Sequence, residues 1–347
     1  MRTLDFLRHR VAFSGVPFGE MEAALGRIGE GEAWEAAFEA AARGLRQLAE
    51  ARQVAGCEAS AAQAWLWTAA AFQAASIGMH LDPDRDGWPG RVTRLRRLAR
   101  RAYGRALSLD RELGRAVTIG LGSGGVRGYL REPRGAVRGA LVLLNGLDSI
   151  CEAELHRFGE AFVGRGFAVL TLAVPDTLGA GQAGVGFRVE NAAPAVAEWV
   201  RHRTALRRVP LGAFGVSFGG HLALRLLAGD PRFQAAAAVS PAAWLDTRQL
   251  ALQRVRRMFS LAFGTGEGEA LDERAAEVRI DGLPAPAGRL LVLHMEQDEL
   301  FGPQHCAAIA GWGGDRVEVR RDMAEHVGTS RIHRWLPEIC DWFAAEL

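Results

Sequence analysis

The chain of 347 residues contains no lysine, so all 42 of its basic residues are arginine. Together with many alanines and glycines, this absence is better explained by a GC-rich coding sequence than by a function. Acidic residues number 40, and the formal net charge is only +2. Such a balance excludes a strong positive field over the whole protein. We therefore expect no nucleic-acid partner.

Cysteine is scarce as well, and its few positions lie far apart. The four cysteines form no C-x-x-C pair; they are Cys57, Cys151, Cys306 and Cys340. This spacing predicts free thiols in a reducing compartment, not disulfides or a zinc site. No other group of His, Cys, Asp and Glu has metal-ligand spacing, so we expect no metal.

Long hydrophobic runs are missing too. No stretch reaches the ~18 uncharged apolar residues of a membrane helix. The N-terminus, "MRTLDFLRHRVAFSG", lacks the apolar segment of a signal peptide. Hydrophobic residues make up 49% and charged residues 24% of the chain, an ordinary globular balance. We expect a soluble cytoplasmic protein with no membrane partner and room for one large domain or two ordinary ones.

Residues 1–113 have the pattern of helices. The stretch "GEAWEAAFEAAARGLRQLAEARQV" repeats apolar residues at helical spacing, at Trp34, Phe38, Ala41, Leu45 and Leu48. A second stretch, "SAAQAWLWTAAAFQAASIGMH", does so through Trp65, Phe72 and Met79, with Ser60 as the predicted N-cap. The third, "RVTRLRRLARRAYGRALSL", carries seven arginines. We expect these arginines to form a solvated face, with a polyanion site as the alternative.

After Arg115 the pattern changes to short strands. Eight runs are rich in β-forming residues: "AVTIGL", "VRGYL", "GALVLLNG", "FAVLTLAV", "VPLGAFGV", "FQAAAAVS", "RLLVLHME" and "RVEVRRD". From the third run onward, most are separated by helix-length stretches, which predicts a parallel sheet flanked by helices. We therefore divide the chain into a helical domain, 1–113, and an α/β domain, 114–347, with a helical insertion at about 242–288.

One serine lies in the bend between two apolar runs, in "LGAFGVSFGGHLALRL". The pentapeptide "GVSFG" fits G-x-S-x-G, the nucleophile elbow of α/β-hydrolases, with Ser217 at its centre. Glycines are needed there because Cβ atoms would clash in so sharp a strand-to-helix turn. The helix N-terminus behind the serine offers unpaired N–H groups to an oxyanion. The alternative is a structural Gly/Ser turn.

A serine nucleophile needs a base that is held by an acid, and in this fold the chain order is Ser, acid, His. Asp298 follows the strand in "RLLVLHMEQDEL" and is the predicted acid. Glu296 and Glu299 flank it as alternatives, and Asp322 is a weaker one because it lies on a later strand.

His326 is the predicted base. It lies between the last strand and the final helix in "VEVRRDMAEHVGTSRIHRWL". The other candidate histidines fall within strands or helices, where core packing is the better explanation; they are His221, His294, His305 and His333.

An oxyanion hole needs two N–H donors. The first predicted donor is Phe218, directly after the nucleophile. The second is Leu147, in the turn "NGLDS" that follows the strand "GALVLLNG". Ser149 and Glu152 in the same region fit a capping box that opens the next helix.

Two stretches fit the dinucleotide-binding pattern G-x-G-x-x-G. "GLGSGG", at 120–125, lies between two strands, with no helix to bind a pyrophosphate. "GAGQAG", at 179–184, is separated from its strand by several residues. A lone match of this kind is weak. We expect no nucleotide and no other cofactor.

The chain resembles capped serine α/β-hydrolases with an N-terminal helical domain, a family that includes 2,6-dihydroxypseudooxynicotine hydrolase, FrsA-like esterases and fungal polyketide-shortening hydrolases. The resemblance rests on "FSGVPFGEMEAALGRI", "WEAAF", "SAAQAWLWTAAAFQAA", "NGLDSICEAEL", "GVSFGGHLAL", "MEQDELF" and "AEHVGTSRIHRWLPEICDW". The chain departs from the family at Asn145, where glycine is common, and at "VPDTLGAGQAG", which replaces a D-x-P-G-x-G loop.

This resemblance implies an α/β-hydrolase fold with a helical cap, often as a homodimer. It implies Ser217 as nucleophile, Asp298 as acid and His326 as base, with the amides of Leu147 and Phe218 as the oxyanion hole. Family members cleave a C–C bond in a 1,3-dicarbonyl or acylated phenol, or an ester. We expect a small carbonyl substrate, aromatic or polyketide-derived. Three aromatic residues of the helical domain are candidate substrate contacts, with core packing as the alternative: Trp65, Trp67 and Phe72.

The same residues are compatible with other functions. A plain carboxylesterase or thioesterase would use the same residues. A cyclase or acyltransferase of secondary metabolism would keep them and exclude water. A degenerate hydrolase acting as a binding partner is the non-enzymatic alternative.

Overall fold

A computed structural model describes residues 3–78, 87–121, 124–174, 187–248, 253–265 and 268–347. Contacts divide the chain into two compact units. The first, which we call the helical unit, comprises Met1–Ala116 and Asp148–Arg157. The second, the sheet unit, comprises Val117–Leu147 and Phe158–Leu347. The short segment Asp148–Arg157 thus interrupts the sheet unit in sequence, which the domain division proposed from the sequence did not include.

The described residues of the helical unit form five α-helices. They are α1 (Thr3–Ser14), α2 (Phe18–Gly29), α3 (Trp34–Val54), α4 (Glu58–Ile77) and α5 (Trp88–Leu109). Helix α4 packs against both α3 and α5 and is buried on nearly all sides. A helix that is apolar all round belongs in a core, and α4 forms the centre of this unit.

Helix α3 shows the predicted apolar face with one exception. Trp34 and Phe38 are buried, and their ring centroids lie 4.7 Å apart. The indole Nε1 of Trp34 donates to the carbonyl oxygen of Ala74 in α4 at 2.8 Å, which satisfies its buried N–H. Leu48, predicted to share this face, is 38% exposed instead, and the next residue, Ala49, is buried.

Four of the seven arginines of α5 are exposed and form the solvated face that the sequence predicts, whereas Arg96 departs from it. Arg96 is fully buried, and its guanidinium donates to the carbonyl oxygen of Asp148 at 2.8 Å. Arg94 binds both carboxylate oxygens of Glu39 at 2.6 and 2.8 Å. Arg100 donates to Glu152 at 3.2 Å. These arginines hold α5 to its neighbours within the unit.

Two predicted helix caps are wrong. Helix α4 begins at Glu58, with Cys57 in the N-cap position, so Ser60 lies inside its first turn. The helix predicted after the turn "NGLDS" is a π-helix, Cys151–Leu155, with Ile150 in the N-cap position. Glu152 therefore lies within it and pairs with Arg100 instead of closing a capping box. Met79, predicted as part of α4, lies outside the described residues.

The sheet unit contains all eight predicted strands in one sheet. They are β1 (Arg115–Leu121), β2 (Gly124–Arg131), β3 (Gly139–Leu144), β4 (Phe167–Leu172), β5 (Leu211–Val216), β6 (Phe233–Val239), β7 (Arg289–Gln297) and β8 (Val317–Glu325). Their order across the sheet is β1-β2-β4-β3-β5-β6-β7-β8. Strand β2 pairs antiparallel with β4, and the pairs from β4 to β8 are parallel.

Helices cover the central strands, whose residues in β3, β4 and β5 are all buried. The helices are α6 (His156–Val163), α7 (Ala193–Arg201), α8 (Phe218–Gly229), α9 (Gln253–Phe263), α10 (Glu269–Ala276), α11 (Pro303–Gly313) and α12 (Ile332–Glu346). Burial on both faces explains why these strands have nearly continuous apolar sequences. Helices α9 and α10 lie in the predicted insertion.

Aromatic side chains form much of the core beside the sheet. Phe162 of α6 lies edge-on to Phe214 of β5 and to Phe343 of α12, with centroids 5.2 and 5.7 Å apart. Phe158 of α6 contacts Trp335 of α12 at 5.9 Å. Rings of this size bury much apolar surface, so they fix α6 and α12 against β5. None of the helices in the described parts of the chain is long and apolar enough to cross a membrane.

Candidate active site

Ser217 lies in a strained turn between β5 and α8. Its backbone has φ 56° and ψ −125°, a conformation that non-glycine residues rarely adopt. Its N–H donates to the carbonyl oxygen of Val239, at the end of β6, at 2.8 Å. Its carbonyl accepts from the N–H groups of Gly220 and His221 as α8 begins. The turn therefore projects the serine side chain off the end of β5.

The glycines beside Ser217 are required by close backbone approaches. A Cβ on Gly215 would overlap the backbone of Gly219, on the far side of the turn. A Cβ on Gly219 would overlap the carbonyl oxygen of Leu144, at the end of β3. The two glycines let the elbow close and let α8 pack against the end of the neighbouring strand.

Asp298 lies one residue beyond β7, and its side chain is fully buried. Its Oδ1 accepts backbone N–H groups from Leu300 at 2.8 Å and Phe301 at 3.0 Å. Its Oδ2 lies 2.8 Å from Nδ1 of His326. Burial alone would raise the pKa of Asp298, but His326 and the two backbone N–H groups outweigh it and hold this pKa below its usual value. The group is therefore an anion near neutral pH.

His326 follows directly after β8 and bridges the other two residues. Its Nδ1 faces Asp298, and its Nε2 lies 2.8 Å from Oγ of Ser217. Because an ionised carboxylate only accepts, Nδ1 carries the proton and Nε2 is left to accept from the serine hydroxyl. The ring of Phe301 lies edge-on to the imidazole, with centroids 5.4 Å apart. In this arrangement the imidazole of His326 can accept the hydroxyl proton of Ser217, and Asp298 can stabilise the resulting imidazolium.

Sheet topology explains how residues so far apart in sequence meet. Ser217, Asp298 and His326 each follow the carboxyl end of a strand, namely β5, β7 and β8. These strands are parallel and belong to one run of the sheet, with β6 between β5 and β7. The carboxyl ends of parallel strands lie at the same edge of a sheet, so the three side chains converge there.

The alternative acids lie elsewhere. Glu296 is exposed and pairs with Arg321 at 2.9 Å. Asp322 pairs with Arg331 at 2.9 Å. Glu299 is exposed. Among the four candidates, Asp298 is the one whose carboxylate contacts His326.

Two other histidines near α8 are neutral and structural. His221, in the first turn of α8, donates from Nδ1 to the carbonyl oxygen of Ala242 at 2.9 Å. His305, in α11, accepts the N–H of Ala243 at 3.2 Å. Burial lowers the pKa of His221 to about 3 and that of His305 to about 4. His294 is also buried, within β7, whereas His333 is exposed on α12.

The two predicted oxyanion donors follow the ends of two neighbouring strands, β5 and β3. Phe218 is the first residue of α8, where helix geometry leaves the N–H without an intrahelical acceptor. Its side chain is fully buried against Phe259 of α9, with ring centroids 5.3 Å apart. Leu147 follows β3 by three residues and is buried. The carbonyl of Leu144, at the end of β3, lies beside Gly219, so this strand end adjoins the start of α8.

The three aromatic residues predicted to contact substrate lie in α4. Trp65 and Phe72 are buried within the helical unit, and Trp67 is half-buried. The indole Nε1 of Trp65 donates to Oε1 of Gln53 in α3, at 3.4 Å. This contact favours core packing for Trp65, and substrate contact by the three residues stays a prediction.

The two glycine-rich motifs add no described site. "GLGSGG" lies between β1 and β2, and its two central residues, 122 and 123, lie outside the described residues. "GAGQAG" and the neighbouring Asp176 lie wholly outside them. Among the residues that the structure does describe, no group of three or more His, Cys, Asp and Glu could hold a metal ion.

Some residues that hold the predicted base, His326, were not predicted from the sequence. The carboxylate of Glu325 accepts from the hydroxyls of Thr329 at 3.0 Å and Ser330 at 2.6 Å, across the turn that carries His326. Trp335 donates to the carbonyl oxygen of Gly328 in the same turn at 2.9 Å. Ser240 accepts the N–H of Val327 at 3.0 Å. The one signal in the sequence was the place of Ser240 at the end of the predicted strand "FQAAAAVS".

Comparison with known proteins agrees with this architecture. No family model matches the chain, and no curated protein sequence matches it. A crystal structure of a 2,6-dihydroxy-pseudo-oxynicotine hydrolase matches 98% of this chain and 95% of its own, with a TM-score of 0.83 and 21% identity. AbyA5 matches 90% of this chain and 84% of its own, with a TM-score of 0.64 and 17% identity.

Est1E from Butyrivibrio proteoclasticus matches a smaller share of this chain. It covers 67% of this chain and 98% of its own, with a TM-score of 0.51 and 15% identity. The first two structures thus match the chain over most of its length, including much of the helical unit. This protein has the α/β-hydrolase fold, with a helical region at its N-terminus.

Proposed function

We propose that this protein is a serine hydrolase in which Ser217 is the nucleophile, His326 the general base and Asp298 the acid that orients it. One observation carries the proposal: Asp298, His326 and Ser217 form a continuous hydrogen-bonded series with 2.8 Å at each step. Distances of this size allow direct proton transfer. The strained backbone of Ser217 and its place before α8 also fit a nucleophile elbow.

The first half of the reaction forms an acyl-enzyme. Nε2 of His326 removes the hydroxyl proton as Oγ of Ser217 attacks the substrate carbonyl carbon. The carbonyl oxygen becomes an oxyanion, which the N–H groups of Leu147 and Phe218 stabilise. The intermediate collapses, the bond to the leaving group breaks, and the imidazolium protonates that group. Asp298 stabilises the imidazolium throughout this half.

The second half releases the acid. Water gives one proton to Nε2 of His326 and attacks the acyl carbon, through the same oxyanion site. Collapse breaks the bond to Oγ of Ser217, which recovers its proton from the imidazolium. The products are a carboxylic acid and the protonated leaving group, so the net reaction adds one water.

We assign a C–C bond as the scissile bond, in a 1,3-dicarbonyl or acyl-aromatic substrate. A carbon leaving group departs only if its carbanion is stabilised as an enolate or a phenolate-like species, and both substrate classes provide one. The support is the likeness to the 2,6-dihydroxy-pseudo-oxynicotine hydrolase over 98% of the chain, which takes in the helical unit.

Ester hydrolysis is the second candidate. It is favoured by the likeness to Est1E, which matches 67% of this chain. Comparing p-nitrophenyl acyl esters with aryl-1,3-diketones separates the two candidates. We expect turnover of the diketone, and fast ester turnover with an inert diketone would favour an esterase. Product mass tests cyclisation or acyl transfer, since only hydrolysis adds the elements of water.

A fluorophosphonate probe tests the mechanism without knowledge of the substrate. We expect one covalent adduct, on Ser217, and none in Ser217→Ala. Asp298→Asn should still fold but react about 10⁴-fold more slowly, because the imidazole loses the partner that sets its tautomer. Glu296→Gln, at an exposed neighbouring acid, serves as the matched control and should react like the wild type. A folded wild-type protein that forms no adduct would contradict the proposal and favour a binding role.

Several earlier expectations stay predictions: a homodimer, a cytoplasmic location, a polyketide-derived substrate, and a cap role for the helical unit. Sedimentation velocity at several protein concentrations tests the first of them.

A further inference from the structure

Three non-glycine residues of the described chain have a positive φ angle: Ser217 at 56°, Ser240 at 47° and Val327 at 69°. Such conformations are uncommon for residues with a side chain, and for a β-branched valine they are outliers. They persist only where the surrounding structure holds them. One of the three is the proposed nucleophile, and another directly follows the proposed base.

Two hydrogen bonds link these strained residues through the end of β6. The N–H of Ser217 donates to the carbonyl oxygen of Val239 at 2.8 Å. The N–H of Val327 donates to Oγ of Ser240 at 3.0 Å. Val239 and Ser240 are consecutive, so one dipeptide holds the main chain of the nucleophile and the main chain beside the base.

The position of the Ser240 oxygen is itself well determined. The side chain is buried, with the residue only 1% exposed. Its own N–H donates to the carbonyl oxygen of Leu293 in β7 at 2.9 Å, which continues the pairing of β6 with β7. The hydroxyl is therefore anchored to two neighbouring strands of the sheet, β6 and β7.

The bond from Val327 acts directly on the base. The N–H of Val327 belongs to the peptide group that joins it to His326, so its contact with Ser240 fixes one end of the histidine main chain. The next residue, Gly328, also has a positive φ, at 59°. Without the Ser240 contact, the strained turn at Val327 would lose its hydrogen bond to the end of β6.

We propose that Ser240 is a positioning residue for the proposed hydrolase, whose hydroxyl keeps the imidazole of His326 within reach of Ser217. The proposal rests on the function given above and adds a residue to it. Ser240 does not touch the reacting atoms. It acts through the main chain of His326, on the 2.8 Å distance from Nε2 to Oγ of Ser217.

The test is the inactivation of Ser240→Ala and Ser240→Gly by an alkyl fluorophosphonate over a range of concentrations. We expect the maximal rate constant kinact to fall ~10- to 100-fold, since small displacements of a reacting group are costly. The half-saturating concentration KI should stay within about twofold, because Ser240 does not bind the probe. Both variants should fall alike, since glycine accepts the positive φ but also lacks the hydroxyl.

Ser14→Ala is the matched control. Ser14 is also a buried serine, and its hydroxyl donates to the carbonyl oxygen of Arg10 at 2.8 Å, within α1. Removing it deletes a comparable hydrogen bond in the helical unit, and kinact should match the wild type.

Each other outcome overturns the proposal. A wild-type kinact in both Ser240 variants would show that the hydroxyl is not needed, and a normal kinact in Ser240→Gly alone would assign the effect to the backbone. A reduced amount of reactive protein with a normal rate constant would show a fold defect instead of mispositioning. A wild-type protein that does not react would overturn the hydrolase function, and the role of Ser240 with it.

Discussion

At the scale of single residues, two buried histidines hold one peptide group without carrying charge. The carbonyl oxygen of Ala242 and the N–H of Ala243 belong to the peptide bond that joins these residues. His221 donates to the first and His305 accepts the second. Nε2 of His221 in turn accepts from the guanidinium of Arg225 at 3.2 Å. Protonation of His221 would place a cation beside that arginine, so this contact works only with a neutral ring.

This arrangement predicts a loss of stability in mild acid. The folded-state pKa of His221 is lowered to about 3, while the unfolded chain takes up a proton near its ordinary value of 6.5. Between these values the unfolded state binds more protons, so the free energy of unfolding falls as the pH falls. From pH 6.5 to 4.5 the loss from His221 is about 2 kcal/mol.

Urea unfolding at pH 6.5 and 4.5 measures this loss. His221→Asn keeps a donor for Ala242 but cannot be protonated, so its stability should depend less on pH. His202→Asn, at an exposed histidine, controls for the substitution itself. Equal pH dependence in wild type and His221→Asn would contradict the prediction.

At the scale of secondary-structure elements, the elbow depends on contacts that leave no room for side chains. Helix α8 begins directly after Ser217 and packs against β3, β5 and β6. It comes so close to the end of β3 that Gly219 lies against the main chain of Leu144. Helix α3 contains a glycine of the opposite kind: a methyl group at Gly44 would have nothing within 4 Å.

Alanine at these two glycines should therefore have opposite effects. Gly219→Ala should lower the free energy of unfolding by about 3 kcal/mol or more, because the strand end must move. Gly44→Ala should raise it by about 0.5–1 kcal/mol, since alanine loses less entropy in a helix. Denaturant unfolding of the two variants measures both effects. A stable Gly219→Ala with normal fluorophosphonate reactivity would contradict the packing described for the elbow.

At the scale of the whole molecule, the helical unit includes a segment from a distant part of the chain, Asp148–Arg157. Arg10 in α1 is buried, and its guanidinium contacts Asp148 at 2.7 Å and Glu154 at 2.8 Å. Burial alone would lower the pKa of Arg10, but the two carboxylates raise it above its ordinary value. Tyr103 in α5 adds a hydrogen bond with His156 at 2.9 Å.

Removing Arg10 should destabilise the protein strongly. Arg10→Met leaves the buried carboxylate of Glu154 without its arginine partner, which costs about 3–5 kcal/mol. Adding Glu154→Gln should recover part of that loss, because it removes this uncompensated charge. Arg8→Met is the matched control, since the Arg8–Glu22 pair is exposed, and it should cost less than ~1 kcal/mol. Additive effects of Arg10→Met and Glu154→Gln in urea unfolding would contradict this account.

Periodicity in the sequence predicted the helices α3–α5 and all eight strands, because a buried face imposes its spacing on the chain locally. The motif G-x-S-x-G between a strand and a helix identified Ser217, because a sharp turn there needs glycines on both sides of the serine. The choice of Asp298 and His326 from the sequence used chain order in a known fold. Their meeting with Ser217 depends on the sheet order, which no local pattern contains.

Tertiary packing decided the remaining features. Arg96 is buried because the carbonyl of Asp148, 52 residues away, accepts its hydrogen bond. Asp148–Arg157 joins the helical unit because Arg10 and Arg100 pair with its acids. Ser240 lies beside Val327 with a positive φ angle, a conformation that the residue type does not predict. The sequence by itself determined elements whose cause is local burial, whereas contacts between distant residues were decided only when the chain folded.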